Sequence, residues 1–256
     1  MGVLETVPKL ALKRAEALYK VGVRVFRVYS PEPGRDALLT VQALRKAYGN
    51  KIEIFVGQIV DVEQAKKLEA AGADGLYVGI GGGGRCITGV RSGSVIDWPQ
   101  LVWSLRGEVK IPVVVEGGAS DHIAATLALG ATGIGVSRII GGGTIESPGG
   151  MLYCVDKDGR FFKPYGGEAS ARTKFLDKKM LPFQLPSFVE GETRAAYITY
   201  TPYAVPTIPF HVFNLTEDII LSFVFRAVED LHELHALNPS PLRQKTASGE
   251  ALQGTH

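Results

Sequence analysis

Apolar residues recur at three- and four-residue spacing in KRAEALYK, QAKKLEAAG and HIAATLALG, and each stretch runs through a glycine into a short apolar run. The units KRAEALYKVGVRVFRVYS, QAKKLEAAGADGLYVG and HIAATLALGATGIGVS therefore share one order: amphipathic helix, glycine, strand. Ala65, Leu68 and Ala71 carry the helical spacing in the second unit. Gly22, Gly72 and Gly130 suit helix C-caps, where the backbone turns left-handed. The strands read as continuous apolar runs, the pattern of a parallel sheet covered on both sides. KIEIFVGQIV and KIPVVVEGG bring the reading to five strands alternating with helices. Repeated βα units with short connections predict an α/β fold of TIM (β/α)8-barrel type. Five units do not close an eight-stranded barrel. An open part-barrel exposes sheet edges and an apolar face.

The period changes after Gly150. MLYCVDKDGRFFKPY reads as a hairpin turning at Asp158-Gly159. The Pro-interrupted stretch from Gly166 to Phe210 is a poor candidate for regular structure. Thr216 is placed to cap a final helix, TEDIILSFVFRAVEDLHEL, with Glu217 and Asp218 in its first turn. One domain over 1–237 and a polar, disordered tail over 238–256 are expected, with a flap about 150–210.

Composition narrows the class without naming a function. The 256 residues are 45% hydrophobic and 21% charged, enough for one sizeable core. The net charge of +2 gives no reason to expect nucleic acid or a membrane surface as partner. Two cysteines make no disulfide framework, which fits a reducing, cytoplasmic setting. No apolar run reaches membrane-spanning length, and MGVLETVPKL lacks a signal-peptide core.

The candidate chemistry gathers in GADGLYVGIGGGGRCIT, Gly72 to Thr88. Leu76, Tyr77 and Val78 deliver the chain into Gly81 to Gly84, whose N–H groups can approach and point at an anion. Cys86 stands at the far lip of that loop. A thiol there suits covalent catalysis on a phosphorylated substrate; the alternative is a flexible turn followed by an ordinary buried cysteine. Cys154 reads as structural. His232 and His235 lack a third metal ligand and read as surface residues, and the glycine loop lacks GxGxxG spacing.

GIGGGGRCIT resembles the catalytic-cysteine loop of the IMP dehydrogenase/GMP reductase family, usually GIGPGSICTT. Further resemblances follow in the same order. Pro99-Gln100-Leu101 is similar to the PQL that opens the next helix, IPVVVEGG to the IPVIADGG strand, and GGGTIESPG to the AGTEESPG phosphate-side loop. They cover roughly Pro8 to Leu234. The chain then begins at the family's fourth strand. The resemblance implies an oxidoreductase acting at C2 of a purine 5′-nucleotide (IMP, GMP or XMP) with NAD or NADP. Cys86 is the implied nucleophile, with Thr88 positioning water or ammonia. Glu190, in VEGETR, is the implied general acid or base. Substrate contacts fall on Gly83, Gly84, Glu116, Gly117, Gly118, Ser137, Tyr165 and Gly167. Glu116 stands for an aspartate that holds the ribose hydroxyls. Cofactor contacts fall on Gln58, Gly79 and Gly81. A monovalent cation (K+) at the cysteine loop and a homotetramer of complete barrels are also implied.

Departures from the pattern leave the reaction direction open. VYSPEPG replaces an aspartate-bearing strand end, Gln58 an asparagine, Val136 a glycine and Gly166 an arginine. The flap holds no Arg-Tyr pair, which dehydrogenases of the family use to activate water; Arg172 is the nearest arginine. An IMP dehydrogenase-like enzyme is the leading reading, with GMP reductase as the alternative and a non-catalytic nucleotide-binding relative or an incomplete fragment as the alternative of another class. A phosphate-binding barrel isomerase or aldolase, which would not need Cys86, also remains.

Overall fold

The computed structural model describes residues 1–29, 35–80, 85–93, 95–117, 123–137, 143–147, 150–167, 169–176, 180–181, 185–186, 189, 191–198 and 206–238. The first half alternates β1 Gly2–Leu4, α1 Pro8–Lys20, β2 Val25–Tyr29, α2 Arg35–Tyr48, β3 Glu53–Gly57, α3 Val62–Ala70 and β4 Gly75–Val78. Two helices follow, α4 Thr88–Ser92 and α5 Trp98–Leu105, then β5 Val113–Glu116, α6 Ile123–Leu129 and β6 Gly133–Gly135. The six strands form one parallel sheet in the order β1-β2-β3-β4-β5-β6. The sheet thus holds one strand more than the five read from the sequence. β1 escapes a periodicity argument because three residues are too few to show alternation.

Strand order equal to chain order has a consequence for the helices. A βαβ crossover is almost always right-handed, so steps in one direction place every helix on the same face. Alternate strand residues show this. Leu4, Phe26, Val28, Ile54, Val56, Leu76, Val78, Val113 and Val115 are buried against the helices, with Ala11, Ala15, Val41, Leu44, Ala65, Leu68, Leu101 and Leu105. The intervening residues, including Val25, Arg27, Phe55, Tyr77, Val114 and Glu116, are only half-buried. Among the described residues the helices cover one face, and the strands alternate between buried and half-buried positions where full burial on both faces was expected.

Helix ends follow the local chemistry. Gly22, Gly72 and Gly130 all take positive φ, as C-cap glycines do. Asp61 accepts the Gln64 N–H at 2.6 Å and caps α3, and Asp97 accepts that of Gln100 at 3.2 Å and caps α5 at the PQL segment. Arg45 staples three turns together. It donates to the carbonyls of Gly72 at 2.6 Å and of Gly49 and Ile52 at 2.8 Å, and pairs with Asp74.

The second half is less regular. The hairpin forms, with β7 Cys154–Val155 antiparallel to β8 Phe161–Gly166 and Gly159 at φ +76° in the turn. The stretch read as lacking regular structure contains α7 Ala171–Leu176, the short pair β9 Met180–Leu181 and β10 Leu185–Pro186, and β11 Thr193–Tyr197, antiparallel to β8. The final helix is also corrected. Thr207, not Thr216, caps α8 Ile208–Val224, accepting the Phe210 N–H at 3.4 Å. Thr216 sits inside α8 and returns its hydroxyl to the Val212 carbonyl at 2.8 Å. The chain breaks at Ala227, φ +50°, before Asp230 caps α9 Leu231–Ala236. His235 is no surface residue: a ring nitrogen lies 2.8 Å from the Leu127 carbonyl oxygen and ties α9 to α6. Residues 239–256 of the expected tail lie outside the described residues.

Helix α8 packs on α6 through Leu215, Ile219 and Phe223 and leaves Phe213, Leu221, Val224 and Phe225 more than half exposed. Such a face favours association in water. Sedimentation velocity over a concentration series should show reversible self-association of the chain, and Leu221→Glu should weaken it. A monomer at all concentrations would show that this face is tolerated in solvent.

Candidate functional site

In parallel α/β sheets, binding groups collect where the strands end. Side chains from the middle of β2, the exit of β3 and the end of β5 converge here. Arg27 on β2 reaches across the uncovered face to Glu116, the last residue of β5. Its Nη1 donates to Oε2 at 2.9 Å, and its Nη2 donates to Oε1. Gln58, just past β3, donates its amide Nε2 to the same Oε1. The pair is largely withdrawn from water, the side chains being 17% and 23% exposed. The Arg27 guanidinium also lies 4.1 Å from the Tyr77 ring centroid and 5.1 Å from that of Tyr29. Two atoms of the cluster, Arg27 Nε and Gln58 Oε1, are buried with no hydrogen-bond partner among the described residues. Arg27 was not singled out from the sequence. The available signal was one charged residue at the centre of VFRVY.

Gly79 and Gly117 flank this cluster. Gly79 has φ +144°, and a Cβ there would stand 1.8 Å from the Glu116 carbonyl oxygen. The close approach of β4 to β5 is thus a reason for this glycine that needs no cofactor. Gly117, at φ +75°, turns the chain out of β5. Ser137 lies exposed past β6. Gly81, Gly83, Gly84, Gly118 and Glu190 lie outside the described residues.

A second cluster forms around the thiol. Cys86 is exposed, which removes the buried-cysteine alternative, and its Sγ donates to Thr88 Oγ1 at 3.1 Å. Cys86 forms an antiparallel bridge with Gly191, the chain neighbour of Glu190, and the Glu192 N–H donates to the Arg85 carbonyl at 2.8 Å. Gly191 also bridges Ser170, whose hydroxyl meets those of Thr173 at 3.0 Å and Thr193 at 3.1 Å. Tyr165 and Gly167 belong to the same assembly. The Tyr165 carbonyl accepts Arg85 Nε at 3.3 Å, and the Gly167 N–H donates to the Glu192 carbonyl at 3.2 Å. A depression of about 490 Å³ opens beside it, lined by Ala171, Arg172, Gly191, Glu192, Thr193 and Arg194. The structure therefore joins Cys86, Thr88, Tyr165 and Gly167 in one cluster, and Gln58, Gly79, Glu116 and Gly117 in another. Cys154 is exposed on β7, outside both.

A third feature supports the second. Lys163 on β8 is 3% exposed and points its ammonium at the carbonyls of Thr144 (3.1 Å), Ile145 (3.2 Å), Ser147 (3.2 Å) and Gly150. Its Nζ lies 4.8 Å from the Tyr153 ring centroid. Burial pushes its pKa below the ordinary lysine value. Four oxygens exceed the three protons an ammonium can donate, so the contact is partly ionic. Lys163 ties residues 144–147 to the hairpin.

A family profile described as "IMP dehydrogenase / GMP reductase domain" matches residues 5–197. The chain belongs to this family. It is 36% identical over 167 residues to an inosine-5′-monophosphate dehydrogenase of Nitrosopumilus maritimus, covering 62% of this chain and 34% of that protein. An inosine-5′-monophosphate dehydrogenase of Helicobacter pylori is 35% identical over 169 residues, 62% of this chain and 33% of the relative. A GMP reductase of Leishmania donovani is 32% identical over 194 residues, 70% of this chain and 39% of the relative. The chain thus spans about a third of the length of the curated relatives it matches. Dehydrogenase and reductase resemble it to similar degrees. The chain is a relative of these oxidoreductases, built on an α/β fold with a six-stranded parallel sheet. Among the described residues, no group of three His, Cys, Asp or Glu could hold a metal ion, and no helix is long and apolar enough to cross a membrane.

Two substitutions test the framework of the site. Gly79→Ala forces a methyl group into the β5 backbone at a positive φ. It should cost about 3 kcal/mol or more, read as a large drop in Tm. Lys163→Met leaves four carbonyls without their cation. Urea unfolding should show a loss of about 1–3 kcal/mol, with faster amide exchange in 143–147.

Proposed function

We propose that the chain is a purine 5′-nucleotide oxidoreductase module in which Cys86 attacks C2 of the base. The observation that carries this reading is the cluster of an exposed Cys86, its hydroxyl neighbour Thr88 and the strand-like bridge to Gly191. The bridge supports a role for Glu190, because its chain neighbour is held against the cysteine. In this reading Cys86 Sγ adds to C2 as the thiolate. Thr88 holds the small nucleophile or leaving group by its hydroxyl, water in one direction and ammonia in the other. Glu190 moves the proton, a task typically contributing about 10²–10⁴-fold in rate. Tyr165, Gly167, Gly83 and Gly84 face the nucleotide from the thiol side. Glu116, Gly117, Gly118 and Ser137 face it from the strand ends.

NAD or NADP, when bound, would accept a hydride from C2 in the dehydrogenase direction and donate one in the reductase direction. The residues present suit a nicotinamide. Gln58 is buried with Oε1 unpartnered among the described residues, an acceptor available to a carboxamide N–H. Gly81 completes that side in this reading. A K+ ion at the cysteine loop, a homotetramer, a cytoplasmic location and a flap over about 150–210 belong to the same proposal.

Both cysteines are exposed, so accessibility alone predicts similar reactivity. Alkylation by iodoacetamide, followed by peptide mass spectrometry, should be faster at Cys86 than at Cys154. IMP or GMP should slow it at Cys86 only. Equal rates unaffected by either nucleotide would remove the covalent mechanism. Protection without hydride transfer in either direction would leave the binding role alone.

A further inference from the structure

The Glu116 carboxylate is already engaged by three donors. Arg27 supplies Nη1 to Oε2 and Nη2 to Oε1, and Gln58 supplies Nε2 to Oε1. A carboxylate offers about four acceptor positions, so about one remains for a ligand. A vicinal diol read by this carboxylate alone needs two. Arg27 is also hard to displace, because its fork is bidentate and its face lies over Tyr77. Withdrawing it would leave a largely desolvated guanidinium without its counter-charge.

We propose that Arg27 sets the sugar specificity of the site: with Arg27 on Glu116, the chain takes a nucleotide through one sugar hydroxyl and does not distinguish ribose from 2′-deoxyribose. This rests on the reading of Glu116 as the sugar-facing carboxylate. Arg27 acts through Glu116, so it is a positioning residue. Replacing it by a neutral side chain of similar length frees two acceptor positions and restores room for both hydroxyls. Gln58 remains on Oε1 and keeps the carboxylate oriented.

The test uses the full chain and two probes, IMP and 2′-deoxy-IMP, with dissociation constants measured by calorimetry. For the parent protein the two should agree within about threefold. In Arg27→Met, which keeps an apolar stem over Tyr77, IMP should gain and the ratio should favour ribose by about tenfold or more, the worth of one hydrogen bond to a charged group. Arg27→Lys keeps the charge but not the fork. It should fall between the two, and it decides the question where the methionine variant does not fold. A parent protein that already prefers ribose by tenfold overturns the proposal. So does an unchanged ratio in both variants with binding intact, which leaves the functional reading standing. Absence of binding of either nucleotide to the parent and both variants overturns the functional reading and the sugar assignment with it.

Discussion

Helices on a single face of the sheet are the constraint from which the rest follows. Six strands in chain order, joined by crossovers of one hand, bury Phe26, Val28, Ile54, Val56, Leu76 and Val78 on the helical side. The opposite face must then be filled by the strands' own side chains. Arg27, Phe55, Tyr77, Val114 and Glu116 do this, each half-buried. The Arg27–Glu116 pair crosses from β2 to β5, over β3 and β4. In a flat sheet those strands stand about 14 Å apart, three inter-strand steps. A direct, forked contact between them is favoured by a sheet that curves toward that face. Such a sheet, with helices on one side, is consistent with a barrel-type domain and differs from a doubly wound sheet with two helical layers.

The thiol cluster depends on a different kind of join. Cys86 follows β4, while Gly191 precedes β11. Their backbone bridge and the Glu192–Arg85 hydrogen bond bring these distant segments together. The join is held from behind by hydroxyls rather than by apolar packing. Ser170 meets both Thr173 and Thr193, and the Thr173 hydroxyl donates to the Gly167 carbonyl at 3.1 Å. Small polar contacts of this kind contribute little individually. They nevertheless fix which residues face the cysteine. Lys163 adds a firmer anchor, because its charge is surrounded by carbonyls and its side chain is buried.

How far the sequence was legible differs between the two halves. Helical spacing, C-cap glycines and apolar runs located β2 to β6 and helices α1, α3 and α6, because each of these elements carries its own period. β1 was missed because three residues cannot display one. Thr216 was misread as a cap because Glu217 and Asp218 imitate a first helical turn, whereas the helix already begins after Thr207 with Pro209 in its first turn. The elements of 166–198 were missed for other reasons: β11 is stabilised by β8, a partner far along the chain, and the two-residue strands β9 and β10, paired with each other, are too short to show a period. At the site, the cysteine loop was legible because glycines and a thiol carry a chemical signature. Arg27 and Lys163 were not, because their meaning lies in what surrounds them. A charged residue in a strand reads the same in sequence whether it faces solvent or spans a sheet.

Glu116 and Arg27 make physical sense only together. The family pattern places a shorter aspartate at this strand end, and the extra methylene of Glu116 carries its carboxylate further over the uncovered face. An arginine at position 27 without that carboxylate would bury a charge against Tyr77 with no partner. A lengthened acid without the arginine would project a largely desolvated charge supported by the Gln58 amide alone. Each residue is costly by itself, and each offsets the other. Neither touches the thiol cluster, whose polar contacts come from Thr88, Arg85 and the segment around Gly191. The site is therefore divisible. The groups that would perform the chemistry at C2 and those that would read the sugar are held by separate networks, and sugar recognition can change while the cysteine environment persists.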